Sequence, residues 1–199
     1  MDIKERLKDI AERAKRIILS PKTEWPAIEA EPATAVDLYR NYILYLAAVP
    51  AVANFLGGWL FGFTRGSNSV HYSFFTGLVR AALQYGLALP LLYGVALVIS
   101  LLAPSFEGKR DDLRALKLIA YSYTPIWLAE VFGLVPGLRW LDVLGVYAVY
   151  LFYIGVSRMM RSKEEYSDVY TAAALVLGIA AAFLHGMIVH MLVPTPTAG

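Results

Sequence analysis

Along the first nineteen residues the apolar positions keep a helical period. Ile3, Leu7, Ile10, Ala14 and Ile17 recur at spacings of four, three, four and three, one stripe of a helix. The opposite face carries Lys4, Glu5, Arg6, Lys8, Asp9, Glu12, Arg13, Lys15 and Arg16. Asp9–Arg13 and Glu12–Arg16 are i,i+4 pairs with the acid first, the favourable order. Such a helix can lie among lipid headgroups, pair with a copy of itself, or dock a partner protein through residues 1–19. It has no uninterrupted apolar core, so no secretory signal is expected. Ser20-Pro21 restarts the chain, with Ser20 at an N-cap and Pro21 at the first helical position. Trp25, beside Pro26, suits a membrane interface.

Beyond Arg40 the pattern turns from amphipathic to apolar all round. Asn41–Thr64 is one uncharged run, Ala81–Ala103 is a second, and Val169–Val193 is a third. Each exceeds the roughly 20 residues a helix needs to cross about 30 Å of hydrocarbon. Leu118–Val135 and Leu141–Ser157 are shorter and carry one acid each, Glu130 and Asp142. Pro136-Gly137-Leu138-Arg139-Trp140 between them reads as the turn of a tight helical hairpin. The fold expected is an all-α integral membrane protein with five transmembrane helices, near 41–63, 81–103, 118–135, 141–157 and 169–193. An amphipathic or interfacial segment, 1–39, precedes the membrane domain, 40–193, and a short tail, 194–199, follows it.

Composition agrees. Apolar residues make up 58% and charged residues 17%, and mean hydropathy is +0.53, against about a quarter charged in ordinary soluble domains. Charge then orients the bundle. Five spans with a cytoplasmic N-terminus place 1–40, 104–117 and 158–168 inside, and with them every Lys and Arg except Arg65, Arg80 and Arg139. The expected location is the cell membrane, N-terminus cytoplasmic and C-terminus external, with the lipid bilayer as the first partner. No basic patch interleaved with aromatics supports nucleic-acid binding. Cysteine is absent, which removes disulfides and thiolate sites.

Small residues mark helix contacts. Ala174, Gly178, Ala182 and Gly186 recur every four residues in the last span, and Gly58 and Gly62 in the first. Such ridges let helices approach closely and leave room for a homodimer face.

Candidate chemistry is sparse. Pro125 has no N–H, so the Tyr121 carbonyl loses its helical partner, and Thr124 sits beside the break. The kink either shapes the bundle or acts as a hinge. Glu130 lies six residues before Pro136 and Asp142 six after, so both sit about 9 Å from the turn. A carboxylate at a span's centre costs about 2.5–3.5 kcal/mol, less near the interface. Two at one depth require a shared proton, a cation, or a basic partner such as Arg139, unless both reach water at the short hairpin's end. His185 and His190 are five apart, about 140° around the helix, which does not suit one metal ion. No metal or other cofactor is expected; His185 is a buried polar side chain in need of a partner. Nucleophile elbow, HExxH and phosphate loop are missing, so no catalytic residues are assigned and the chain is not expected to be an enzyme.

"IILSPKTEWPAI" before the first span, "AYSYTP" in the third, "YAVYLFYIGV" in the fourth and "EEYSDVYTAAALV" at the fifth resemble the blocks of prokaryotic Yip-domain proteins. The resemblance runs from about Ile17 to Val189 and implies a five-span membrane protein. Eukaryotic Yip proteins bind prenylated Rab-type GTPases and carry an Asp-Leu-Tyr-Gly-Pro motif. Here the text is Asp37-Leu38-Tyr39-Arg40-Asn41, so the Gly-Pro half is missing and Rab binding does not carry over. Two readings follow. One is a non-enzymatic scaffold that organises the membrane or recruits a partner through its N-terminal helix. The other is a small ion- or proton-coupled transporter or channel using Glu130 and Asp142 around the Pro125 break.

Overall fold

The computed structural model describes residues 2–65 and 68–194. Helix α1 (Ile3–Leu19) opens on a capping box made by Asp2 and Glu5. Its stripe is used only in part: Ile10, Ala14 and Ile17 are buried, whereas Ile3 and Leu7 are 61% and 49% exposed. Helix α2 (Pro21–Ala30) has Pro21 in its first turn as expected, but the Ser20 side chain makes no capping bond. The Thr23 hydroxyl donates to the Ser20 carbonyl instead, at 2.9 Å.

The first span, Ala35–Leu60, is assembled from pieces. Thr34 and Asp37 cap α3 (Ala35–Leu38), a π-helical turn follows over Tyr39–Ile43, and α4 (Leu44–Leu46) leads to α5 (Ala48–Leu60). Pro50 offers no N–H to the Leu46 carbonyl, which accounts for the break at Ala47. Gly62 lies beyond α5 with φ of 70° and turns the chain into a short antiparallel pair, β1 (Phe63–Arg65) with β2 (Asn68–Val70). Its task is this reversal, so it does not belong to a helix-packing ridge.

Helix α6 (Phe74–Leu102) starts seven residues before the uncharged run, capped by the Ser73 side chain on the Thr76 N–H. Arg80 therefore lies within the helix. Asp111 caps α7 (Asp112–Ser122), which breaks at Tyr123. Then come α8 (Thr124–Ala129), with Pro125 in its first turn, and a 3-10 stretch over Glu130–Leu134. The reversal is made by a single extended residue, Val135, and Pro136–Val146 continues as 3-10 helix into α9 (Tyr147–Met160). Helix α10 (Ser167–Leu192) closes the bundle.

The protein is an all-helical integral membrane protein apart from that hairpin. Four helical stretches among the described residues are long and apolar enough to cross a membrane: Ala35–Leu60, Phe74–Phe106, Gly137–Met160 and Glu164–Leu192. Residues 118–135 are not one such helix, being divided among α7, α8 and the 3-10 stretch. The core is concentrated where α6, α7 and α9 meet: Ile99, Leu116, Leu118, Leu151, Val156 and Met159 have no exposed surface. Helix α10 gives little to it. Val176, Ile179 and Phe183 are each more than 60% exposed, an apolar face suited to lipid.

Candidate functional site

Two clusters of polar side chains occupy opposite ends of the bundle. Helix α10 sets their separation. Ser167 lines a hollow with Trp25 and Glu29 at one end, His185 lines a cavity at the other, and the helix between them rises about 27 Å.

At the first end α1 and α2 are fastened to the spans. Arg13 reaches Glu24 at 2.8 Å and also pairs with Glu31, while the Arg16 Nε lies 3.1 Å from the same Glu24, whose side chain is 7% exposed. Glu29 joins α7 to α9, accepting from Arg114 of α7 at 2.7 Å and from Arg158 of α9 at 3.1 Å. The Arg114 hydrogen bond above all, with Arg158, holds the Glu29 carboxyl below the usual range. Buried Lys117 donates to the carbonyls of Ile28 at 2.9 Å and Glu31 at 2.6 Å. These lie at the end of α2, where carbonyls lack helical partners and a cation is favoured. Trp25 completes the joint. It is 1% exposed and lies so close to Gly155 of α9 that a Cβ there would stand 2.5 Å from the indole ring. The interfacial placement expected for Trp25 is thus corrected: it is a core residue, and Gly155 exists to admit it.

The residues of the expected kink belong to this end. The Tyr42 and Tyr121 rings are 4.7 Å apart, and Arg13 sits over the Tyr121 ring at 5.8 Å. The Thr124 hydroxyl, fully buried, bonds the Tyr42 hydroxyl at 2.7 Å, so it binds α8 to the π-helical turn of the first span. Pro125 fits the break because it opens α8, where an N–H would be unpaired in any case.

The second end is a cavity of about 600 Å³, within the range of small-ligand sites. Glu130, Arg139 and His185, assigned from sequence, all line it, joined by Asn54, Arg80 and Gln84. Close approach builds the wall: a Cβ on Gly57 of α5 would stand 2.7 Å from the Gly133 carbonyl oxygen, so the 3-10 stretch lies directly on α5. That contact sets Glu130 beside Asn54, whose amide donates to the carboxylate at 3.3 Å. Arg80 uses one N–H on the Val193 carbonyl at 2.6 Å and lies 5.7 Å from the Tyr72 ring centroid. His185 has its partner: Nε2 is 2.9 Å from the Gln84 carbonyl, which can only accept, so Nε2 carries the proton.

Asp142 is not among the residues lining the cavity. It lies within electrostatic reach of Glu130, as Arg139 does, and its Oδ1 is buried without a hydrogen-bond partner. The small residues divide. Gly58 faces the Tyr72 ring and Gly178 the Tyr123 hydroxyl, and Ala174 is buried. Ala182 and Gly186 are exposed, and no atom of a neighbouring element lies within 4 Å of a Cβ built on Gly186. Among the described residues no three His, Asp or Glu side chains gather as a metal site.

Sequence reasoning missed Arg80, Asn54 and Gln84, and the whole fastening of α2. Arg80 had a signal that was read only as a boundary charge; a single arginine two turns into an apolar helix points inward as readily as outward.

A family model, the Yip1 domain, matches residues 15–185. The chain is also similar to inner membrane protein YohC of Escherichia coli strain K12, with 27% identity over 165 residues, 80% of this chain and 84% of the relative. The same figures hold for the protein of that name in Escherichia coli O6:H1 strain CFT073. No solved structure matches. The chain is a member of the Yip1 domain family of membrane proteins.

Proposed function

We propose that this protein is a non-enzymatic scaffold of the cytoplasmic membrane, a five-span bundle with its N-terminus in the cytoplasm. Its helical pair α1/α2 forms a rigid platform on the inner face. The observation that carries the reading is the joint between platform and spans: Glu29 holding Arg114 and Arg158, Lys117 ending α2, and Trp25 seated on Gly155. A platform so fixed presents a constant surface. Its free part is the start of α1, where Ile3 and Leu7 extend beyond the contact and offer an apolar edge to a partner or to lipid. The name of the Escherichia coli relatives supports the inner-membrane location, and the Lys and Arg distribution supports the orientation. For five spans, α7, α8 and the following 3-10 stretch together make the third crossing.

The test separates surface from joint. Ile3→Asp with Leu7→Asp should abolish crosslinking of a partner or second copy in membranes while leaving the melting temperature in detergent unchanged. Crosslinking that survives the double substitution defeats the recruitment reading. The cavity supports a second reading, an ion- or proton-coupled transporter. It predicts flux across reconstituted vesicles that Glu130→Gln abolishes, and a tight, inert vesicle removes it.

A further inference from the structure

The cavity at the β1–β2 end differs from the joint between α1/α2 and the bundle. Among the described residues, neither Arg80 nor Arg139 has an acid within 4 Å, and Glu130 has no cation within 4 Å; its carboxylate accepts from the Asn54 amide. Opposite charges thus line one cavity within electrostatic reach but without a contact ion pair. Glu130 and Arg80 are half-buried, so leaving them without a contact partner is costly, and a ligand carrying both charges removes the cost, with Arg139 exposed at the same cavity.

We propose that this cavity binds the headgroup of a zwitterionic aminophospholipid. Arg80 and Arg139 take the phosphate, and Glu130, steadied by Asn54, takes the primary ammonium. Arginine's fork suits phosphate oxygens, and Arg80 keeps four N–H donors beyond the one spent on Val193. A primary ammonium donates hydrogen bonds to a carboxylate. A quaternary ammonium cannot, and it is held by aromatic cages instead. The aromatic rings here are otherwise engaged, Phe55 on Trp59 and Tyr72 under Arg80.

The source is the bilayer. Arg80 and His185 stand on α6 and α10, the same helices that expose Phe75, Val79, Phe183 and Met191, an apolar surface suited to acyl chains. The proposal requires the multi-pass fold but not the platform function, so it stands or falls separately.

The test uses the full chain, purified and delipidated in detergent, then given an equimolar mixture of phosphatidylethanolamine, phosphatidylcholine and phosphatidylglycerol of one acyl composition. Bound lipid is counted by native mass spectrometry. Phosphatidylethanolamine should be retained about tenfold over the other two, the size of one charge-assisted hydrogen bond. Glu130→Gln should erase the preference over phosphatidylglycerol while phosphate-dependent retention persists. Arg139→Ala, at an exposed side chain, should weaken all three lipids with no change in melting temperature. Equal retention of the three lipids by the unaltered protein overturns the proposal, as does a preference unchanged in Glu130→Gln. Free phosphoethanolamine that competes as well as the lipid overturns the bilayer source.

Discussion

The two ends of this bundle handle charge in opposite ways. At the α1/α2 end the charges of the joint are held by partners: Glu24 by Arg13 and Arg16, Glu29 by Arg114 and Arg158, and Lys117 by two helix-end carbonyls. At the β1–β2 end Glu130, Arg80 and Arg139 share a cavity without pairing, and Asp142 keeps a dry, unpartnered oxygen. Paired charges fix geometry, whereas unpaired ones store free energy that a ligand, ion or proton can release. The first end holds the chain together, and the second is where the proposed ligand would release that free energy.

The sharpest way to break the comparison is at Trp25. Trp25→Ala should lower stability by about 3–5 kcal/mol, the usual loss for a large aromatic in a packed core, read as a fall in detergent melting temperature. If it melts normally, the joint is not packed and the contrast between the ends disappears. Adding a methyl at Gly155→Ala should cost about 1–3 kcal/mol by pushing the indole out of place, and Trp25→Phe should restore part of that loss by removing ring volume.

Ionic fastening gives a smaller, pH-dependent effect. The Glu29 carboxyl is held below its ordinary range, so its contribution is present above the unfolded value of about 4.3 and vanishes as pH falls through the lower folded value. Melting temperature should therefore drop below about pH 4.3 in the unaltered protein, and Glu29→Gln should be less stable at neutral pH with a flatter acid limb. Identical acid limbs would show that the Arg114–Glu29–Arg158 bridge carries no stability.

How far the sequence carried differed between the ends. Uncharged runs marked the spans because lipid excludes charge, yet the runs did not mark helix ends: α6 begins seven residues early because Ser73 caps it and Arg80 can face a cavity. Glu130, Arg139 and His185, three of the polar residues that line the cavity, were legible because a polar group is conspicuous against an apolar background. Asp142 was legible too, but its place beside the cavity rather than in it depends on the 3-10 path of Pro136–Val146. The joint was not legible. Its partners lie far apart in sequence, Arg114 and Glu29 by 85 residues and Lys117 and Ile28 by 89, and no local pattern announces a pairing that only the fold creates. Trp25 shows the same gap: a tryptophan before a span suits an interface by rule, and the missing side chain of Gly155 sends it to the core instead.

The smallest expected effect is also the most discriminating, because its sign differs between the ends. Glu24→Leu removes a carboxylate that two arginines share and should destabilise by about 2 kcal/mol, less than for a fully dry pair because Arg16 is half exposed. Glu130→Leu removes a carboxylate held only by an amide at 3.3 Å, so the cavity loses a desolvated charge and gains apolar contact. That variant should melt higher, by an amount corresponding to about 1 kcal/mol. A stabilised Glu130→Leu identifies the acid as a group retained at a cost to the fold, as a ligand-binding or ion-binding residue is. Should it melt lower instead, Glu130 works with Asn54 as a structural pair between α5 and the 3-10 stretch, and both ends of the bundle serve the same purpose.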